Sequence, residues 1–229
     1  MNIEETLTQL GSKPSESEEN GLSLITNTYK SIFSPGISTG GFAEIRMVVE
    51  NPDRKVIATT IDEKGLAVAK ENIKKLNLDN QIKAKLEDLT KEFPYKKDQF
   101  DFIYARLVLH YLKAQDLDKV LSSFYNSLQD QGKFFVVVRS EKNIDTDEKR
   151  NNYDPVTKIT KVPYRNNKGE IEAWGIRYFH SPKTIKEHLE KAGFTIDYIK
   201  EYQERLYVDF MRTKASPRLD HLIEVLASK

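Results

Sequence analysis

The sequence predicts an α/β fold: a doubly wound, mostly parallel sheet with a C-terminal antiparallel strand and a hairpin-containing insertion. Three observations predict it. From residue 30 to 139 the hydrophobic pattern switches repeatedly between strand-like alternation and helical spacing. Strands alternating with helices imply parallel strands joined by right-handed crossovers. Phe134-Phe135-Val136-Val137-Val138 is an unbroken apolar run, the mark of a strand covered on both faces.

The elements follow in order. Ser31 to Ser34 is a short strand ending at the turn Pro35-Gly36-Ile37-Ser38-Thr39-Gly40-Gly41. Phe42, Ile45, Val48 and Val49 share one helix face, and the helix stops near Asn51-Pro52. Lys55 to Ile61 is a β-branched strand ending at Asp62, and Leu66, Ala69, Ile73 and Leu76 mark the next helix. Ile82, Ala84 and Leu86 alternate in a third strand that ends at Glu87-Asp88. Phe100 to Ala105 is the fourth strand, and Leu117, Val120, Leu121, Phe124 and Leu128 mark a helix after it. Gly132 is a turn into the fifth strand. Beyond Arg139 the pattern breaks: Ser140 to His180 is polar, with Asn166-Asn167-Lys168-Gly169 as the turn of a hairpin. Ser181-Pro182 opens a helix that Gly193 closes, and Thr195–Tyr202 and Leu222–Ala227 are the last strands.

Composition bounds the function. The chain has 229 residues, enough for one sizeable core, with 38% hydrophobic and 31% charged residues. Lys plus Arg (36) nearly balance Asp plus Glu (35), so no global charge draws the chain to nucleic acid or an anionic membrane. With no cysteine, disulfides, thiolate zinc sites and a cysteine nucleophile are excluded, and no other metal site is expected. No apolar run is long enough to span a bilayer, and the acidic, polar start is unlike a secretory signal. A cytoplasmic location is the expectation. Residues 1–29 read as a lead, either a helix with Ile3, Leu7 and Leu10 as its stripe or a frayed terminus. Residues 30–229 read as a single domain, with 140–180 a lid on the acceptor side.

Ligands of doubly wound sheets sit beyond the carboxyl ends of the strands, so the residues just after each strand are the place to look. There the chain resembles the class I S-adenosylmethionine-dependent methyltransferases, of Rossmann-like fold. The resemblance rests on the loop Gly36 to Gly40, on IATTIDEKGLAVAKENI, on Leu86-Glu87-Asp88-Leu89, on DQFDFIYARLVLHYL and on Gly132-Lys133-Phe134. It implies S-adenosylmethionine as cofactor, with Gly36, Ser38 and Gly40 near its carboxylate and Asp62 on its ribose. Glu87, Asp88 and Leu89 would lie by the adenine, and Arg106 would border both ligands. Ser34 and Ser38 stand where the family carries an acid and a second glycine.

The resemblance also implies in-line methyl transfer; the size of the Ser140–His180 insertion suits a small-molecule acceptor, and His110 or His180 would serve as an optional base. Taken alone, His110 reads equally as a packed core histidine, Asp62 as a helix cap and Tyr111 as core. Tyr111, Arg139, Tyr153, Trp174 and Arg177 are the candidate acceptor-side residues, and Trp174 fits the hairpin's own core as well. No nucleic-acid footprint stands out. An RNA or protein methyltransferase and a non-catalytic binding module are the rival readings. The oligomeric state has no signature in the sequence.

Overall fold

The computed structural model describes residues 3–9, 13–37, 40–49, 51–166, 168–207 and 214–229. In chain order the lead forms helices α1 (Ile3–Gln9) and α2 (Glu16–Ser23). Then come β1 (Ser31–Pro35), α3 (Phe42–Val49), β2 (Lys55–Thr60), α4 (Glu63–Lys75) and β3 (Ile82–Leu86). β4 (Phe100–Arg106), a 3₁₀ turn (Leu109–Tyr111), α5 (Ala114–Ser127) and β5 (Leu128–Arg139) complete the parallel part. A short α6 (Asp147–Asn151) precedes β6 (Tyr153–Asp154), β7 (Ile159–Arg165) and β8 (Ile171–Tyr178). The chain ends with α7 (Pro182–Ala192), β9 (Thr195–Glu204) and β10 (Asp220–Ser228).

The main sheet has seven strands in the order β3-β2-β1-β4-β5-β10-β9. Pairing is parallel from β3 to β5, and β10 runs antiparallel to both β5 and β9. The expected doubly wound sheet with its antiparallel C-terminal strand is therefore present. Burial follows the sequence pattern. Central β4 and β5 are apolar on both faces, whereas edge strand β3 exposes Lys83 and Lys85, which discourages pairing with another chain.

Strand alternation sorts the core into two layers. Ile32, Phe102, Tyr104, Phe135 and Val137 pack with the lead, α3 and α4. Their neighbours Phe33, Ile103, Ala105, Phe134 and Val136 pack with α5 and α7 on the opposite face. The helix predicted from Ser181 has Pro182 in its first turn, a Ser181–Thr184 capping box and Gly193 in the left-handed C-cap. Gly132 lies inside an excursion of β5, whose register to β4 jumps from Phe100↔Leu128 to Phe102↔Lys133. The expected turn thus sits within a paired strand, because Leu128 already bonds to β4 before it.

The lead packs on the first layer. Leu7 is fully buried. Gly21 lies against the sheet so closely that a Cβ there would come within 2.4 Å of the Phe135 ring. Fully buried Arg54 ties the lead to α3: its guanidinium donates to the carbonyls of Tyr29, Thr26, Ile25 and Met47. At the other edge, buried Glu224 of β10 accepts from Asn20, Tyr198 and Tyr202 and pairs with Lys200.

The insertion is tied at its neck. His180 N–H donates to the Arg139 carbonyl, and Glu141 N–H donates to the His180 carbonyl. Between these points β6, β7 and β8 form a separate antiparallel sheet. Among the described residues no helix is long and apolar enough to cross a membrane.

Arg54→Met should destabilise the fold by about 3 kcal/mol, because it leaves several buried carbonyls without a donor. Urea denaturation of the two proteins measures the difference, and equal midpoints contradict the assignment.

Candidate active site

At the carboxyl ends of β1 to β5 the structure opens into a cavity of about 540 Å³. Its floor begins where β1 ends. Gly36 adopts φ of +80°, and its amide and that of Ile37 both donate to the Thr59 carbonyl. A Cβ on residue 36 would stand 2.7 Å from the Cβ of Val108, so the two backbones can approach only because glycine is here. Leu107 beside it holds φ of +56°, a conformation costly for a bulky residue, and donates its amide to the Val137 carbonyl. Ser34 donates its hydroxyl to buried Glu44 of α3 at 2.6 Å. Gly40 is absent from the cavity wall, since its loop turns toward α4 and its carbonyl accepts from Asn72. Ser38 lies outside the described residues.

The acidic wall follows β2 and β3. Asp62 is the N-cap of α4, accepting from the Lys64 amide with Oδ1, and it lines the cavity as well. Cap and ligand roles are compatible, because Oδ2 has no partner among the described residues. Glu87 accepts from the Tyr95 hydroxyl at 2.8 Å with Oε2, and burial together with that bond raises the pKa of the phenol. Asp88 takes the amide and hydroxyl of Thr90 on Oδ1, and those bonds hold its carboxyl below the usual range. Each of these acids therefore keeps one oxygen free for a donor among the described residues. Ile61 is 75% exposed on this wall, which half-buried Leu89 also lines. The sequence reading missed Ile61, because a single apolar residue at a strand end carries no periodic signal.

The opposite wall follows β4 and β5. Arg106 lines the cavity, but it is also tied to the lead: Nε donates to Ser17, a terminal nitrogen donates to Ser15, and Glu204 stands at 3.8 Å. His110 lines the cavity without solvent exposure, and both of its ring nitrogens lack partners among the described residues. Burial, then the Arg139 and Arg177 charges, hold its pKa well below 6.5. His110 is thus a neutral imidazole and a weak base. Tyr111, read from the sequence as core or as an acceptor-side residue, is 44% exposed on the cavity wall, with the Arg177 guanidinium 4.0 Å above its ring.

Other acceptor-side candidates lie elsewhere. Tyr153 pairs with Thr160 in β6, and Trp174 is 51% exposed opposite Pro163; neither lines the cavity. Strand alternation turns Trp174 away, so it forms no small core of the hairpin either. The hairpin contributes Tyr164 to the wall, and Arg177 reaches the site only by contact with Tyr111 and Tyr164. His180 does not line the cavity; it lies buried against Tyr178 with its ring centroid 4.4 Å away. Among the described residues no group of three or more His, Cys, Asp or Glu is placed to hold a metal.

Residues 34–136 match a family model described as a methyltransferase domain. No curated protein matches the sequence. Among solved structures, an S-adenosylmethionine-dependent methyltransferase from Methanosarcina mazei superposes with a TM-score of 0.68 at 17% identity, over 87% of this chain and 92% of that one. A similar structure from Listeria monocytogenes, a putative S-adenosylmethionine-dependent methyltransferase, gives 0.64 at 16% identity, covering 93% and 98%. Geranyl diphosphate methyltransferase in complex with S-adenosylmethionine gives 0.63 at 11% identity, covering 93% and 85%.

Burial lowers the His180 pKa from 6.5 to about 3, with the His188 and Lys158 charges adding to it. The folded state therefore refuses a proton that the unfolded chain accepts below 6.5. Stability contributed by this group is complete above that pH and is lost as pH falls toward 3. His180→Leu should flatten the decline between about pH 6 and 4 by up to about 1.4 kcal/mol per pH unit. Urea titrations of both proteins across that range measure it, and parallel profiles refute the assignment.

Proposed function

We propose that this chain, which carries a class I S-adenosylmethionine-dependent methyltransferase domain, transfers the methyl group to a small-molecule acceptor. The cofactor is S-adenosylmethionine, and the residues present suit it. Its nucleoside is rich in hydrogen-bond donors (two ribose hydroxyls and an exocyclic amine), and the acidic wall offers acceptors. Asp62, Glu87 and Asp88 would hold these donors, and Ile61 and Leu89 would cover the base. When bound, S-adenosylmethionine supplies an electrophilic methyl on a cationic sulfur.

The protein's own contribution is placement and dryness. Gly36 and Leu107 fix the floor between the two walls. Val108 and Leu112 give it an apolar lining. His110, neutral and buried, provides a hydrogen-bonding imidazole toward the acceptor rather than a strong base. One observation supports a small acceptor above the others: Ser15 of the lead, Tyr164 of the hairpin and Leu206 beyond β9 converge on the same 540 Å³ cavity. A cavity of that size lined from three separate segments suits a small molecule better than a polymer.

Calorimetric titration with S-adenosylmethionine should show saturable binding at one site, and silence at millimolar cofactor contradicts the reading. Asp62→Asn separates the two roles of that residue, because asparagine still caps a helix but carries no charge. It should weaken cofactor binding about tenfold while leaving the melting temperature nearly unchanged. An unaltered dissociation constant places the ribose elsewhere.

A further inference from the structure

Sheet order sorts the charges around the cavity. Asp62, Glu87 and Asp88 follow β2 and β3, on one side of β1. On the other side, after β4 and β5, the charged side chains of the wall are Arg106 and Arg139, and Arg177 stands just behind it. Arg106 is engaged by the lead and Glu204. Arg139 is half engaged: one terminal nitrogen pairs with Asp220, while its buried Nε has no partner among the described residues.

Arg177 has no carboxylate within ion-pair distance among the described residues. Its guanidinium sits 4.0 Å over the Tyr111 ring and donates to the Tyr164 hydroxyl at 3.1 Å and the Ile176 carbonyl at 2.8 Å. Both tyrosines line the cavity. Stacking on one face leaves the edge of the guanidinium, with its remaining N–H donors, for a planar or tetrahedral anion. His110, its ring 4.5 Å from that of Tyr111, is fully buried with both ring nitrogens unpartnered among the described residues. Buried polar groups are ordinarily satisfied, so an unpartnered Arg139 Nε–H and an unpartnered imidazole on one cavity wall mark where a ligand's polar atoms go.

We infer that the methyl acceptor is an anion, a small carboxylate or phosphate monoester, whose charged group is held by Arg177 and the Arg139 Nε–H with His110 at its side. This rests on the reading of the cavity as the site of methyl transfer. The apolar lining from Val108 and Leu112 suits a compact hydrocarbon body attached to that anion.

Benzoate, phenyl phosphate and uncharged benzamide test it, each titrated calorimetrically into the full chain, alone and with saturating S-adenosylhomocysteine. The anions should bind at least about tenfold more tightly than benzamide, as charge-assisted hydrogen bonds require. The tighter of the two names the acceptor's anionic group. Arg177→Gln should abolish the preference without changing the affinity for S-adenosylmethionine. Arg177→Lys keeps the charge but loses the planar fork, and should retain a reduced preference. Equal binding of the three probes, no binding of any, or a preference intact in Arg177→Gln overturns the inference. Failure of S-adenosylmethionine to bind, with the anion preference present, sinks the methyltransferase reading and leaves the anion site standing. Cofactor binding without an anion preference does the reverse.

Discussion

The site depends on how closely two strands approach at the carboxyl end of the sheet. β1 turns at Gly36, whose left-handed backbone sends two successive amides to one carbonyl of β2. Val108, just past β4, occupies the space that a side chain at residue 36 would need. That contact draws the loop after β1 against the segment after β4, and the cavity opens over the pair. Leu107 accepts a strained conformation in the same place, held by its amide bond to β5. The strain is local, and the packed strands beneath it on both faces of the sheet offset it.

Polar groups then decide what surrounds the floor. Arg106 holds Ser15 and Ser17 of the lead, bringing Ser15 to the cavity wall, and Glu204 of β9 steadies the guanidinium. Glu224 gathers Asn20, two tyrosines and Lys200, joining the lead to the last two strands. Arg54 closes the other end of the lead by donating to main-chain carbonyls. A segment that is acidic and polar in sequence thereby becomes a packed part of the fold. The acids of the cavity lie to one side of β1 and the arginines to the other, a separation set by strand order.

Much of this fold was legible in the chain. Apolar alternation, β-branched runs and the unbroken apolar run of β5 located the strands of the main sheet, and Ser181, Pro182 and Gly193 bounded α7 to the residue, because caps act over a few neighbouring positions. The strand-end acids were legible for a related reason: position after a strand in a doubly wound sheet is itself a location in space. Less local features were hidden. Trp174 and Tyr153 looked like acceptor contacts by composition, yet the alternation of a small separate sheet left them off the cavity. Ile61, Tyr164 and Leu206 reached the wall without any motif to announce them.

By itself, the sequence determined the order of elements, the parallel sheet and the residues at its strand ends, since periodicity and caps depend on near neighbours. Only the tertiary structure decided which of those residues face one another. Asp62 caps a helix and lines a cavity at once, buried His110 finds no partner among the described residues, and Arg177 lies over Tyr111 from the separate small sheet. Such relations join residues distant in the chain, and their energies come from burial and mutual distance, which exist only after the layers have packed.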